Sequence, residues 1–228
     1  MNILLVTLLT CGLYVLTKKL AKRYPILLFH PLIFTPALII ITISLIGISP
    51  QTFDEGAVVL THMLGPATIA FAIPVYKHVE VLRKYVALIL LGVISGSTVA
   101  ILSTFLLGLL FGLDYHLLIS LLPRSITTPL AMEVSAEIGG IPALTIVFVI
   151  ITGIFGALIG PMVFKVLKIK SPMAKGLALG MGAHAVGTNR TLEYGEEATT
   201  FSTLAMIFAG IITILLGLSV LPLLVGLL

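Results

Sequence analysis

The 228-residue chain has little of what a water-soluble domain needs on its surface. Only 10% of its residues are charged, it has no tryptophan, and Cys11 is its single cysteine. One cysteine excludes an internal disulfide, and the five histidines show no ligand spacing, so we predict neither a metal nor a cofactor. Hydrophobic residues make up 59% of the chain and the mean hydropathy is +1.23, which excludes a soluble domain of this length.

The apolar runs predict an all-α polytopic membrane protein. A bilayer offers no partner to backbone amides, so spanning segments must be helices or closed barrels, and these runs are continuous rather than alternating. We expect about seven or eight transmembrane segments in one integral membrane domain, 1–228, with an N-terminal half (1–111) and a C-terminal half (112–228). The first run, 2–16, has no cleavage site after it and is interpreted as a retained helix.

Eleven of the thirteen basic residues fall into three clusters, which are Lys18, Lys19, Lys22 and Arg23; Lys77, Arg83 and Lys84; and Lys165, Lys168, Lys170 and Lys175. The positive-inside rule places the loops 17–25, 77–84 and 165–175 on the cytoplasmic side of a bacterial inner membrane. The same bias explains the net charge of +4, so no nucleic-acid partner is expected.

The segment 115–139 must then enter and leave from the other side, because a single crossing there would carry the third basic cluster outside. Each half of this segment is also far shorter than the roughly 20 residues of a crossing. We therefore predict a re-entrant hairpin at 115–139, and one broken crossing is the alternative.

Two further segments carry helix breakers inside an apolar run. Gly65 and Pro66 interrupt 56–76, where the proline removes a backbone donor. A glycine-rich stretch interrupts 173–195, which we expect to cross the membrane outward. Both segments are predicted to be broken helices. The last run, 198–228, is long enough for one tilted helix or two short pieces.

Arg124 and Arg190 are the basic residues outside the three clusters, and both lie beside a predicted interruption. An arginine at membrane depth costs at least about 2.5 kcal/mol unless it is paired or hydrated, so it marks a functional site by default. Arg190 either faces the same cavity as Arg124 or is a snorkelling arginine among acidic residues.

Three hydroxyl residues follow Arg124 and lead into a half-helix that begins at Pro129; they are Ser125, Thr127 and Thr128. Their side chains can cap this half-helix, which brings a guanidinium, free backbone N–H groups and the positive end of a helix dipole together. Such a group suits a carboxylate, since arginine can hold both oxygens at once. The alternative is a structural ion pair between Arg124 and Glu133 or Glu137.

Other polar residues complete the candidate site. Glu133, His62 and His184 are candidates for a coupling proton, although each histidine can equally be a packing residue. Four further residues beside the interruptions are candidates for the substrate site, and they are Gly65, Pro66, Thr188 and Arg190. His184 is a candidate for both roles.

Three long blocks resemble the LrgB/CidB family of bacterial membrane proteins, and they are 65–77 (GPATIAFAIPVYK), 123–142 (PRSITTPLAMEVSAEIGGIP) and 175–197 (KGLALGMGAHAVGTNRTLEYGEE). The resemblance covers essentially the whole chain. It implies an inner-membrane, antiholin-like protein that acts with a small holin-like partner of the LrgA/CidA type and modulates murein hydrolase activity and autolysis. Related members, including a plastidal glycolate/glycerate transporter, imply movement of small carboxylates and kinship with inverted-repeat transporters. The resemblance supplies no proven site residues.

These observations lead to one preferred function and its rivals. The first hypothesis is a secondary transporter or exporter of small monocarboxylates such as pyruvate, glycolate or glycerate, assembled as a homo-oligomer in the lipid bilayer. The second is a non-transporting regulatory subunit that binds the holin-like partner, and a channel is the third. The chain has no phosphate-binding loop, no G-x-S-x-G and no H-E-x-x-H, so an enzyme is not expected.

Overall fold

The computed structural model describes residues 3–24, 26, 29–70 and 72–225, and within these residues it contains helices and no strand. This confirms the all-α fold class. The helices are α1 (Ile3–Arg23), α2 (Pro31–Ile46), α3 (Pro50–Gly56), α4 (Val58–His62), α5 (Leu64–Ile69), α6 (Ala72–Lys77), α7 (Val79–Leu110), α8 (Tyr115–Leu121), α9 (Thr128–Glu137), α10 (Pro142–Val166), α11 (Pro172–Thr191) and α12 (Glu196–Val225), with a 3-10 turn at Leu192–Tyr194.

Five helical segments of the described chain are long and apolar enough to cross a membrane. They are Ile3–Arg23, Val58–Lys77, Val79–Leu110, Pro142–Val166 and Glu196–Gly217. The count is six if α2 and α3, which meet at a bend of 116°, form one span. Length and composition therefore support five or six spans, fewer than the seven or eight expected. The run 198–228 proves to be one helix, α12, as far as residue 225.

The chain divides into two compact units, Met1–Ile69 and Ala70–Leu228. This boundary follows the packing of the helices, and the division into halves at residue 111 stays a prediction. In the first unit, α1 and α2 run antiparallel. The hydroxyls of Thr17 and Thr35 lie 2.6 Å apart, and Leu8 of α1 lines the same apolar groove as Ile46.

All basic residues of the first and second clusters lie in helices rather than in loops. α1 was expected over 2–16 but continues to Arg23, so its last turn carries Lys22 and Arg23. α7 likewise begins at Val79 and kinks at Tyr85, where φ is −120° and ψ is 17°. The predicted span from residue 85 corresponds to the part of α7 that follows this kink.

The broken helix predicted in 56–76, with its break at Gly65 and Pro66, stays a prediction, because Met63 between α4 and α5 keeps a φ of −69° and a ψ of −14° and Val58–Lys77 is long and apolar enough to form one span. α4 ends at His62 and α5 begins at Leu64, so Met63 alone lies between them. Pro66 then falls in the first turn of α5, where a missing N–H removes no helical hydrogen bond. A further interruption separates α5 from α6.

The segment 115–139 forms two short helices, α8 and α9, whose outer ends lie side by side, as a hairpin requires. That this hairpin re-enters the membrane stays a prediction. The Nδ1 atom of His116, at the start of α8, donates to the carbonyl of Gly139 at 3.3 Å. The backbone N–H of Ile141 donates to the Ser120 hydroxyl at 2.7 Å. The chain therefore leaves this first hairpin where it entered.

The segment 173–195 is broken as expected, but the prediction that it crosses the membrane is wrong. α11 reverses direction at His184, whose φ of 40° and ψ of −130° are not helical. Gly187 then packs directly on the carbonyl of Leu179, a contact that any Cβ would block. The Nζ of Lys175 lies 4.9 Å from the ring centroid of Tyr194, so this second hairpin also ends where it began.

The packing of α12 shows the same reversal. Gly176 and Gly180 in the first limb of α11 lie against Ala198 and Ser202 in turn, so this limb runs parallel to α12. In the second limb the order is inverted, because Thr188 bonds to Ser202 at 2.9 Å whereas Thr191 bonds back to Thr199 at 3.3 Å. The second limb is therefore antiparallel to α12.

The two hairpins approach α10 from opposite ends. Thr145, near the start of α10, donates to the carbonyl of Ser120 in the first hairpin at 2.9 Å. Phe164, near its end, packs edge to face against Tyr194 with ring centroids 5.9 Å apart. The second unit thus contains a long helix followed by a hairpin twice, in opposite directions, which is the arrangement of an inverted repeat.

Candidate functional site

Arg124 lies in the turn of the first hairpin, and neutral side chains hold its guanidinium. Its Nη1 donates to the hydroxyl of Thr152 on α10 at 3.3 Å, and its Nη2 donates to the hydroxyl of Thr104 on α7 at 3.0 Å. Among the described residues the one ion pair joins Arg190 and Glu193. The alternative that Arg124 pairs with Glu133 or Glu137 is therefore wrong in this structure, and its positive charge has no carboxylate partner in the described chain.

The guanidinium borders an open-sided cavity of about 470 Å³ between α10 and the first limb of α11, and the α10 wall of this cavity includes exposed side chains such as Phe155 and Ile151. Its lining is apolar apart from Arg124 and Thr152. The lining residues are Arg124, Ile151, Thr152, Phe155, Gly156, Ile159, Gly160, Val163, Phe164, Ala178, Leu179, Gly182 and Ala183. The cavity extends from Arg124 along α10 toward the end of the helix that carries the third basic cluster.

The tip of the second hairpin meets α10 on the same turn. His184 is 4% exposed, and its Nε2 donates to the carbonyl of Val149 at 3.0 Å. Gly153 makes room for the imidazole, since a Cβ there would lie 2.6 Å from the ring. Val149 and Thr152 are three residues apart and share one face of α10.

This meeting point lies well inside the helix. Thr152 is 10 residues after Pro142, about 15 Å along a helix about 36 Å long. If α10 crosses a bilayer, Arg124 is therefore at membrane depth. Irregular backbone is tolerated there only when protein or a water-filled cavity covers it.

The start of α9 differs from the predicted capping arrangement. Thr127 occupies the N-cap position, but its hydroxyl makes no capping bond and is buried without a partner. The first helical bond runs from the N–H of Ala131 to the carbonyl of Thr127, so the N–H groups of Thr128 and Leu130 precede it. The prediction of hydroxyl capping by Thr127 is wrong, and the consequence is a helix start that keeps free donors. Ser125 is buried beside it.

Several predicted site residues lie away from the cavity lining. Glu133 is exposed on α9, and Thr188 donates to the carbonyl of His184 on its own helix. Arg190 is 41% exposed and pairs with Glu193, and its snorkelling at the membrane interface stays a prediction.

The remaining candidates, His62, Gly65 and Pro66, belong to the first unit. Within it, the Nδ1 of His62 donates to the carbonyl of Val58 at 2.8 Å.

Sequence reasoning did not find Thr104 and Thr152. Both are single hydroxyl residues inside long apolar helices, where threonine is common and usually bonds to its own helix. The one available signal was that α7 and α10 flank the hairpin in the chain. Only the packing of the hairpin against both helices brings these hydroxyls to the guanidinium.

Fold and site together define a polytopic α-helical membrane protein in which Arg124, without a carboxylate partner among the described residues, lies where two opposed hairpins meet α10. The chain belongs to the LrgB-like family, whose model matches residues 10–224, and this confirms the resemblance. It is 44% identical to YwbG of Bacillus subtilis (strain 168) over 90% of this chain and 92% of that protein, and 37% identical to YxaC of the same strain over 92% and 91%.

A third relative carries a functional name. Over 92% of both chains, the protein is 34% identical to a Staphylococcus aureus (strain Mu50) protein that is named holin-like protein CidB. No solved structure matches the chain.

Proposed function

We propose that the protein is a secondary transporter or exporter of small monocarboxylates in the bacterial cytoplasmic membrane, and that Arg124 binds the carboxylate. The observation that carries this proposal is a half-buried guanidinium with no counter-charge in the described chain, at the edge of a cavity. A charge at membrane depth is costly, so it is retained where it is used.

The donors at Arg124 suit one carboxylate. A guanidinium has five N–H groups, and Thr104 and Thr152 accept from two of them, so three remain. Two of these can hold both oxygens of a carboxylate. A monoanion neutralises the single positive charge, whereas a dianion leaves a net negative charge in an apolar cavity. The apolar walls favour a short organic acid over an inorganic anion.

The opposed hairpins supply a route for alternating access. Each hairpin tip reaches one turn of α10 from its own end, so movement of either hairpin exposes Arg124 to one side. His184 and Glu133 are our candidates for a coupling proton, and His62 is a third in the first unit. Gly65, Pro66, Ser125, Thr127, Thr128, Thr188 and Arg190 remain candidates for substrate contacts in other conformations of the transport cycle.

The orientation follows from the basic clusters. Tyr85 of α7 packs edge to face against Phe201 with ring centroids 5.4 Å apart, and Gly176 of α11 lies against the same Phe201. The regions 77–84 and 165–175 therefore lie at one end of the second unit. We assign this end to the cytoplasm by the positive-inside rule.

Similarity to a protein named holin-like CidB supports a physiological link to lysis. We propose that carboxylate flux affects murein hydrolase activity and autolysis, and that the protein acts as a homo-oligomer with a small holin-like partner of the LrgA/CidA type. The second candidate function is a regulatory subunit that binds this partner without transport, and the same relative favours it.

Uptake into proteoliposomes tests the proposal. Purified protein is reconstituted with and without the partner, and saturable uptake of labelled pyruvate, glycolate and glycerate is measured. We expect Arg124→Ala to lower uptake at least tenfold, while Arg83→Ala, which removes an exposed arginine of α7, leaves it unchanged. No saturable uptake by the parent in either preparation contradicts transport. Copurification with the partner and no solute-dependent thermal shift would favour the regulatory subunit.

A further inference from the structure

We propose that Thr104 and Thr152 are positioning residues that orient the Arg124 guanidinium and thereby set the affinity of the site for a carboxylate. This inference rests on the proposed function. The two hydroxyls come from α7 and α10, and together they tie the turn of the first hairpin to both long helices.

The hydroxyl of Thr104 can act only as a hydrogen-bond acceptor toward Arg124. Thr104 is 4% exposed, and its O–H donates to the carbonyl of Ala100 at 2.7 Å. Its one hydrogen is thereby used, so its oxygen can only accept, and it accepts from Nη2 of Arg124. Thr104 is therefore not a donor to a substrate anion, and its contribution acts through Arg124.

Thr152 holds the other end of the guanidinium from the cavity wall. Its hydroxyl accepts from Nη1, and its side chain lines the cavity. Free arginine side chains sample many rotamers, and binding to a mobile guanidinium includes the cost of ordering it. Two acceptors on different helices order it before the substrate arrives.

The chemistry of these acceptors also matters. A hydroxyl satisfies part of a guanidinium without reducing its charge, whereas a carboxylate in the same place would neutralise it. Neutral acceptors at residues 104 and 152 thus keep the charge available for an anion. A purely structural anchor for the hairpin would work equally well with an aspartate, so the two explanations make different predictions.

The first test compares KM with the maximal rate of pyruvate uptake in reconstituted full-length protein. We expect Thr104→Val and Thr152→Val, which remove a hydroxyl at nearly constant volume, to raise KM about tenfold and to change the maximal rate less than about twofold. Thr104→Ser and Thr152→Ser should restore the parental KM. Ser103→Ala is the matched control, because its hydroxyl also bonds to the carbonyl of Ala100, at 3.2 Å, and does not contact Arg124.

An unchanged KM in both valine variants, or serine variants as impaired as the valine variants, overturns the inference. This failure is distinct from failure of the proposed function. If the parent transports and Arg124→Ala does not, valine variants with an unchanged KM contradict only the positioning role of the two threonines. If the parent shows no saturable uptake, the transport proposal itself fails.

A second pair of variants applies if the valine variants do not fold. Thr152→Asn keeps a neutral acceptor at this position. Thr152→Asp introduces a side chain of nearly the same size and shape as asparagine, but with a negative charge. We expect the asparagine variant to retain uptake within about threefold and the aspartate variant to lose it at least tenfold while its unfolding temperature is no lower. Equal uptake by the two variants would overturn the inference.

Discussion

The two hairpins of the second unit contact the same turn of α10 but are built differently. The first reverses through an irregular turn between Leu121 and Thr128, which contains Arg124 and two buried hydroxyl residues. The second reverses at one residue, His184, and relies on close packing at Gly187. The guanidinium without a carboxylate partner in the described chain thus lies on the first tip. The second tip carries backbone strain and a single hydrogen bond to α10.

The two hairpins also differ in how their backbone groups are bonded and packed. In the first hairpin α9 starts without a side-chain cap, so the first N–H groups of this helix receive no capping bond. In the second hairpin the small residues of α11 press its first limb onto α10 and α12. The Arg124 guanidinium and the close-packed reversal at His184 are therefore separated along the chain, and both contact one turn of α10.

The largest expected effect is on the side of the membrane from which an introduced cysteine reacts. Each hairpin must begin and end on the same side of the membrane. In a Cys11→Ser background, Glu193→Cys and Lys168→Cys should react with a membrane-impermeant thiol reagent from one side only. Phe111→Cys, between α7 and α8, should react from the other side only. Labelling of Glu193→Cys on the same side as Phe111→Cys would show that α11 crosses the membrane and would remove the second hairpin.

The next largest effect concerns close packing in α11. A Cβ on Gly180 would lie 2.7 Å from Cα of Ser202, whereas a Cβ on Gly182 would meet nothing within 4 Å. We expect Gly180→Ala to destabilise the protein by about 3 kcal/mol and Gly182→Ala to be neutral or slightly stabilising. Thermal unfolding in detergent measures both. Equal stability of the two variants would contradict the packing of α11 on α12.

The first hairpin was predictable from sequence because the distribution of basic residues and the length of the segment 115–139 both indicated a hairpin. Four lysines in and after the last turn of α10 predicted the side on which that helix ends, and 115–139 was too short for two crossings. Arg124 stood out because few basic residues lie outside the clusters. Its partners were not predictable, since Thr104 and Thr152 are distant in sequence and ordinary in type.

The second hairpin was not predicted, because neither the distribution of charged residues nor the length of its segment indicated a hairpin. The segment 173–195 has the length of a crossing, and the acids beyond it balance Arg190, so no charge bias marks its side. The glycines of this segment predicted an interrupted helix, but they did not predict that the chain reverses its direction. The reversal occurs at a histidine, a residue whose backbone rarely adopts a φ of 40°, and only contacts with α10 and α12 hold it there.

A smaller effect tests the strain at His184. His184→Ala and His184→Gly both lose the bond to Val149, but only glycine adopts this backbone conformation without strain. We expect the glycine variant to be more stable than the alanine variant by about 1 kcal/mol, the reverse of the usual order in helices. Unfolding in denaturant compares them, and the usual order would argue against a strained reversal.

The most direct test of the anion site uses the absence of tryptophan from the chain. Phe155→Trp places a lone indole on the wall of the cavity that Arg124 borders. Titration of this purified variant with pyruvate should give a saturable change in fluorescence, and the added substitution Arg124→Ala should abolish it. An equal response with and without Arg124 would contradict carboxylate binding by this arginine.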